Sequence, residues 1–175
     1  MALERLWAGW RSAYIEGVVA GERPEGCLFC GLQALDDESA LILERTPLVY
    51  TVMNAYPYTS GHVMVIPVRH EASFTGLTDE EAAALTVAAR RVARAVEAEY
   101  LPEGLNVGIN VGRAGGAGVP EHLHVHVVPR WHGDTNFMTS IAETRVMPET
   151  LADSYRRLAA RLAATPEAAS GSTGA

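Results

Sequence analysis

The stretch Glu121–Trp131 reads E-H-L-H-V-H-V-V-P-R-W, so His122, His124 and His126 alternate with Leu123, Val125 and Val127. Successive side chains of a strand point to opposite faces. The spacing therefore predicts a strand with three imidazoles on one face and three aliphatics on the other. The aliphatic face calls for a core, and the imidazole face for water, a ligand or a metal. A surface strand that happens to carry three histidines is the plain alternative, but packing gives no reason to set them in register. Immediately upstream, Gly112–Gly118 is a glycine-rich loop.

Imidazole is largely neutral near pH 7, with an ordinary pKa of about 6.5, and is then a good nucleophile. Attack on phosphorus gives a phosphoramidate that a second nucleophile can resolve. Neighbouring imidazoles and backbone N–H groups of a glycine-rich loop can meet the charge on the phosphoryl oxygens. These residues suit nucleotidyl transfer. Taken alone, they equally suit a three-histidine metal site.

Bulk properties narrow the classes. At 175 residues the chain is long enough for one domain with a real core. The net charge is −7 and all 14 basic residues are Arg. An acidic balance argues against polymeric nucleic acid, and the absence of Lys excludes a P-loop. No segment approaches the ~20 apolar residues of a membrane span, and the N-terminus lacks a signal peptide's apolar centre. The expected location is the cytoplasm.

Working outward, residues 2–17 read as a helix with Leu3, Leu6, Trp7, Trp10 and Tyr14 on one stripe, and 21–26 as a connector. Cys27 and Cys30 are the only cysteines and form a C-x-x-C pair. A structural disulfide is disfavoured in the cytosol, which leaves metal binding, redox chemistry or burial. Residues 40–45 and 47–54 read as strands, 54–61 as a loop, and 62–70 as an apolar strand covered on both faces. Thr78 and Glu81 form a capping box that opens a helix over 79–100. Leu85, Ala89, Val92, Val96 and Tyr100 make its inner stripe, and Arg90, Arg91 and Arg94 read as a solvated face. Residues 105–111 read as a strand with Asn106, Gly108 and Asn110 on one face, 148–164 as a terminal helix, and 165–175 as a disordered tail. The fold class is α+β: an antiparallel sheet with a central helix and flanking N- and C-terminal helices.

The triad with its aliphatic partners and trailing Pro129-Arg130 resembles the histidine triad (HIT) superfamily. L-W-x-x-W-R-x-x-Y, N-A-Y-P-Y-x-S-G-H and H-V-V-P-R-W-x-G-D-x-N-F narrow the resemblance to its bacterial diadenosine tetraphosphate phosphorylase branch, which is similar to ATP adenylyltransferases. The resemblance implies a HIT domain over 26–138, an N-terminal extension over 1–25 and a C-terminal one over 139–164. It also implies a homodimer or higher homo-oligomer and transfer through a histidine–AMP intermediate, in which phosphate cleaves diadenosine tetraphosphate to ATP and ADP. His124 would be the nucleophile and His126 the support for phosphate and leaving group. Asn54, His62, Asn110, Gly116, Ala117, Gly118 and Trp131 would surround the nucleotide. Cys27, Cys30, His70 and His122 would hold a structural zinc with no open position. One departure stands out. Where the family places a Gln, Ser or Thr before the triad, this chain has Ala117-Gly118-Val119-Pro120, which brings hydrolysis of dinucleoside polyphosphates or phosphoramidates, and a non-catalytic nucleotide binder, into view.

Overall fold

The computed structural model describes residues 26–134 and 147–165. The expected helix over 2–17 lies outside them, as does the tail beyond Thr165.

Five strands form one antiparallel sheet: β1 (Ile42–Arg45), β2 (Val49–Met53), β3 (Val63–Pro67), β4 (Gly104–Ile109) and β5 (Val125–Arg130), in the spatial order β1-β2-β3-β5-β4. Cys27-Leu28-Phe29 leads into a short helix, α1 (Leu28–Leu32), and α2 (Asp37–Ala40) follows. Neither was expected, because five- and four-residue helices are too short to show a hydrophobic period. The long helix α3 (Asp79–Tyr100) starts where its capping box predicts. Glu81 N–H donates to Thr78 Oγ1 at 3.2 Å, and Thr78 N–H donates to Glu81 Oε2 at 2.9 Å. The last helix, α4 (Leu151–Ala164), is capped by Thr150.

Strand alternation divides the core into two layers. Val49, Met53, Val63, Val65, Val125 and Val127 face α3 and α4, meeting Leu85, Ala89, Val92, Val96, Leu158 and Leu162. On the other face Tyr50, Val52, Met64 and Ile66 pack under Phe29, Ala40 and Ile42. Every residue of β2 and β3 is buried, which explains their nearly unbroken apolar run.

Two expectations change. The triad does not lie wholly within a strand: ladder pairing begins at Val125, so His122 and His124 precede β5. Their place is set instead by Leu123 N–H, which donates to Glu71 O at 2.7 Å. Nor is Arg91 part of a solvated face. It reaches across to β1, making a two-oxygen pair with Glu44, and donates to Leu162 O in the last turn of α4 and to Thr165 O just beyond it. The helical wheel gave Arg91 an outer position, but it cannot show that α4 packs beside that position.

Candidate active site

The three imidazoles differ in environment, and their partners dictate the proton on each ring. His122 is 1% exposed and His124 3%, so of the water, ligand or metal that the imidazole face calls for, bulk water does not meet these two rings. His122 Nε2 lies 3.0 Å from Pro67 O, so it must donate, leaving the Nδ1 lone pair outward. His124 Nδ1 lies 2.8 Å from His122 O and likewise must donate, leaving its lone pair on Nε2. His126 Nδ1 sits 2.9 Å from His62 Nε2. Buried His62 receives Tyr58 N–H on Nδ1 at 3.1 Å, so its own proton is on Nε2, pointing at His126. His126 therefore accepts on Nδ1 and, when neutral, carries its proton on Nε2.

Burial holds all three rings neutral. Desolvation pushes His124 below the ordinary imidazole range, and it lowers His122 as well. Desolvation, and then the neighbouring His124, bring His126 down to about 4. Phe29 lies against His124, with ring centroids 5.1 Å apart, and Tyr58 stacks on His126 at 6.0 Å. The set can thus present an unprotonated nitrogen beside a neutral N–H donor at pH 7.

The outward Nδ1 of His122 meets the cysteines. It lies 3.2 Å from Cys27 Sγ and 3.6 Å from Cys30 Sγ, and His70 Nδ1 lies 3.4 Å from Cys30 Sγ. The four ligand atoms of Cys27, Cys30, His70 and His122 all fall within 4.8 Å of one another. Two sulfurs and two imidazole nitrogens at this spacing match a closed tetrahedral site, and the donor set fits a structural zinc ion. His122 Nε2–H on Pro67 O supplies the outer hydrogen bond that orients a ligating ring. The redox and simple-burial readings of the C-x-x-C pair give way to this cluster. The first residue of the triad thus belongs to the metal cluster, and the other two remain for chemistry.

The remaining expected site residues divide. Asn54 is 9% exposed; its Oδ1 accepts Tyr56 N–H at 2.8 Å in a tight Asx turn, and its Nδ2 lies against His62. Asn110 and His126 share a cleft of about 480 Å³ with Gly108, Asn106, Arg130 and Asp134. Asn54, Trp131 and the glycine loop do not line it. Trp131 is half-buried and meets the Tyr100 ring edge-on at 6.5 Å. Gly116 N–H and Ala117 N–H are used inside their own loop, donating to Arg113 O and Gly112 O. Tyr58 and Arg130 entered only as members of the quoted motifs and Phe29 only as a residue inside the C-x-x-C pair; the Arg130–Asp134 pair follows from no spacing rule of a strand.

A buried imidazole row beside a closed Cys2His2 cluster is the arrangement of a domain whose metal braces the site, not of a metalloenzyme with an open metal position. The HIT domain matches residues 36–133. Over 169 residues the chain is 40% identical to a Mycobacterium tuberculosis (strain ATCC 25618 / H37Rv) protein named AP-4-A phosphorylase, covering 94% of this chain and 87% of that one. It is 33% identical to Protein hit of Bacillus subtilis (strain 168), over 81% and 97% of the two chains. Among solved structures, a Zn-bound histidine triad family protein from Mycobacterium smegmatis superposes with a TM-score of 0.65 at 31% identity, covering 79% of this chain and 94% of that one. The chain belongs to the HIT family.

Proposed function

We propose that the protein transfers an adenylyl group from a dinucleoside polyphosphate, through a covalent intermediate on His124, to inorganic phosphate. The observation that carries this reading is the proton arrangement. His124 Nδ1–H is held by His122 O, so the Nε2 lone pair is free to attack, while His126 is set as an Nε2–H donor by His62. In the first step His124 Nε2 bonds to the α-phosphorus of diadenosine tetraphosphate. The bridging P–O bond breaks, and ATP leaves with that electron pair, its oxygen met by the His126 N–H. In the second step a phosphate oxygen attacks the same phosphorus, the P–N bond breaks, and ADP forms as His124 recovers its lone pair. Zinc, when bound, braces Cys27, Cys30, His70 and His122 and takes no part in these steps. The 40% identity to a protein named AP-4-A phosphorylase supports this substrate.

Hydrolysis is the second reading. It is favoured by Ala117-Gly118-Val119-Pro120, which offers no side-chain donor to an incoming phosphate, and by the internal use of two loop amides. Product analysis with diadenosine tetraphosphate separates the two. ADP plus ATP formed only with phosphate supports phosphorolysis; AMP plus ATP regardless of phosphate supports hydrolysis. Nucleotide binding without turnover would make the protein a binder.

The proposed unit spans 26–138 with extensions on both sides, acts in the cytoplasm and forms a homodimer. Strand β4 is a sheet edge, and Val107 and the neighbouring Leu101 and Val111 are exposed along it, as a pairing surface would require. Sedimentation of the protein as a monomer at micromolar concentration would remove the dimer.

A further inference from the structure

Glu149 and α4 lie beyond residues 36–133, the part of the chain that matches the HIT domain. Both nevertheless reach the turn before His62, by way of Tyr100 at the end of α3. Glu149 Oε1 accepts from Tyr100 OH at 2.7 Å and from Ser154 Oγ at 2.6 Å, and its Oε2 accepts from Arg157 Nη1 at 2.6 Å. Arg157 lies over the Tyr100 ring, 4.6 Å from the centroid, and its Nε donates to Glu99 at 2.9 Å. The C-terminal segment thus fixes both the hydroxyl and one face of this ring.

The ring itself rests on the turn. A Cβ on Gly61 would stand 2.7 Å from Tyr100 Cε2 and 2.9 Å from Cδ2, so the ring lies directly against the Gly61 backbone. Gly61 also has a φ of +78°, which glycine alone adopts without strain. His62 follows immediately. Its N–H donates to Thr59 O across the same turn at 3.3 Å, and Thr59 Oγ1 donates to Pro129 O of β5 at 2.8 Å. Tyr100 also meets Trp131, just past the end of β5, edge-on at 6.5 Å. One ring therefore touches both segments whose relative placement sets the 2.9 Å contact between His62 Nε2 and His126 Nδ1. A close-packed, tethered ring leaves the turn no room to shift towards α3.

We infer that Tyr100 is a positioning residue for the transfer reaction, and that the C-terminal segment acts on the site through it. Glu149 and Arg157 hold the ring, the ring holds the Gly61 turn, and the turn keeps His62 Nε2–H on His126. The inference rests on the adenylyl-transfer reading above, in which the His126 N–H meets the leaving oxygen. Simple core filling is the alternative, and it predicts a loss of stability with no separate effect on the imidazoles.

The test uses the full chain as wild type, Tyr100→Leu, Tyr100→Phe and Arg161→Met. Leu removes the ring, whereas Phe keeps the ring and its packed volume but loses the bond to Glu149. Arg161 ties α4 to Glu99 Oε2 and, among the described residues, makes no bond to Tyr100 or Glu149. With diadenosine tetraphosphate and phosphate, kcat is expected to fall about tenfold in Tyr100→Leu and about threefold in Tyr100→Phe, with KM within about twofold, because a displaced donor weakens the transition state rather than binding. Arg161→Met should unfold at lower urea yet keep kcat within about twofold. Ring 15N shifts give the second readout: His126 should pass from the single Nε2–H tautomer to a mixture in Tyr100→Leu and stay as it is in Arg161→Met. Tyr100→Phe carries the decision if Tyr100→Leu does not fold. Wild-type kcat in the folded Tyr100 variants, unchanged His126 shifts in them, or an equal kcat loss in Arg161→Met overturns the positioning role and leaves the transfer reading standing. Wild-type protein that does not cleave the dinucleotide overturns the transfer reading, and the role of Tyr100 with it.

Discussion

His62→Phe isolates the role of the proton arrangement. Phe fills the buried volume but cannot donate to His126 Nδ1, now 2.9 Å from His62 Nε2, or accept Tyr58 N–H, now at 3.1 Å. The first loss releases the His126 tautomer. A hydrogen bond contributes about 1 kcal/mol net, so the Nε2–H form loses roughly fivefold of its advantage. Looser placement of the ring carries the expected fall in kcat to about 5–20-fold, with KM little changed. This is smaller than the ~10²–10³-fold expected of His126→Ala, which removes the donor outright. The second loss strips a partner from a buried amide and costs about 1–3 kcal/mol of stability. His62→Gln separates these effects, because Oε1 can accept from Tyr58 while Nε2 donates to His126. Steady-state rates, single-turnover labelling of His124 and urea unfolding on all three proteins give the answer. A His62→Phe kcat within twofold of wild type, or a Gln variant no better than Phe, would refute the tautomer argument.

Three further outcomes are expected. Cys27→Ser should abolish zinc content measured by plasma emission spectrometry and lower the Tm by roughly 5–10 °C; full metal content in the variant would dissolve the Cys27–Cys30–His70–His122 assignment. His126 has a folded pKa of about 4 against an ordinary 6.5, so between these values the unfolded chain binds more protons than the folded one. Its contribution, about 3 kcal/mol at most, is complete above pH 6.5 and lost as pH falls to 4, which unfolding titrations from pH 7.5 to 4 in the wild type and in His126→Phe would register as a steeper wild-type slope. Desolvation also holds the His124 nucleophile below the ordinary imidazole range, so kcat should stay level as pH falls through 6.5 and drop only at lower pH; a midpoint at 6.5 would mean the ring is ordinary. Arg91→Met removes the pair with Glu44 and the bonds to Leu162 O and Thr165 O, and should destabilise the fold by about 1–3 kcal/mol with faster amide exchange at the end of α4; no change would return Arg91 to the solvent.

Much of the architecture follows from local rules that act within a few residues. Thr78 and Glu81 place the start of α3 because both halves of a capping box lie three residues apart in the chain. The apolar run 62–70 specifies a doubly covered strand, observed at Val63–Pro67, and the alternation of Val125, His126 and Val127 specifies which side of β5 holds the imidazole. The C-x-x-C pair and the triad are local patterns too, so the candidate ligands and nucleophile can be named from the sequence and its resemblance to the HIT family. What local pattern cannot carry is any quantity that depends on a partner far along the chain. Cys27 and His122 are 95 positions apart, His62 and His126 are 64, and Arg91 and Thr165 are 74. Their meeting depends on how β3, β5 and the helices pack, and so does the burial that lowers the imidazole pKa values. Residue spacing thus determined which groups are present and which face they share. Tertiary packing decided which nitrogen of each histidine bears the proton, because that proton sits where an acceptor from another part of the chain requires it.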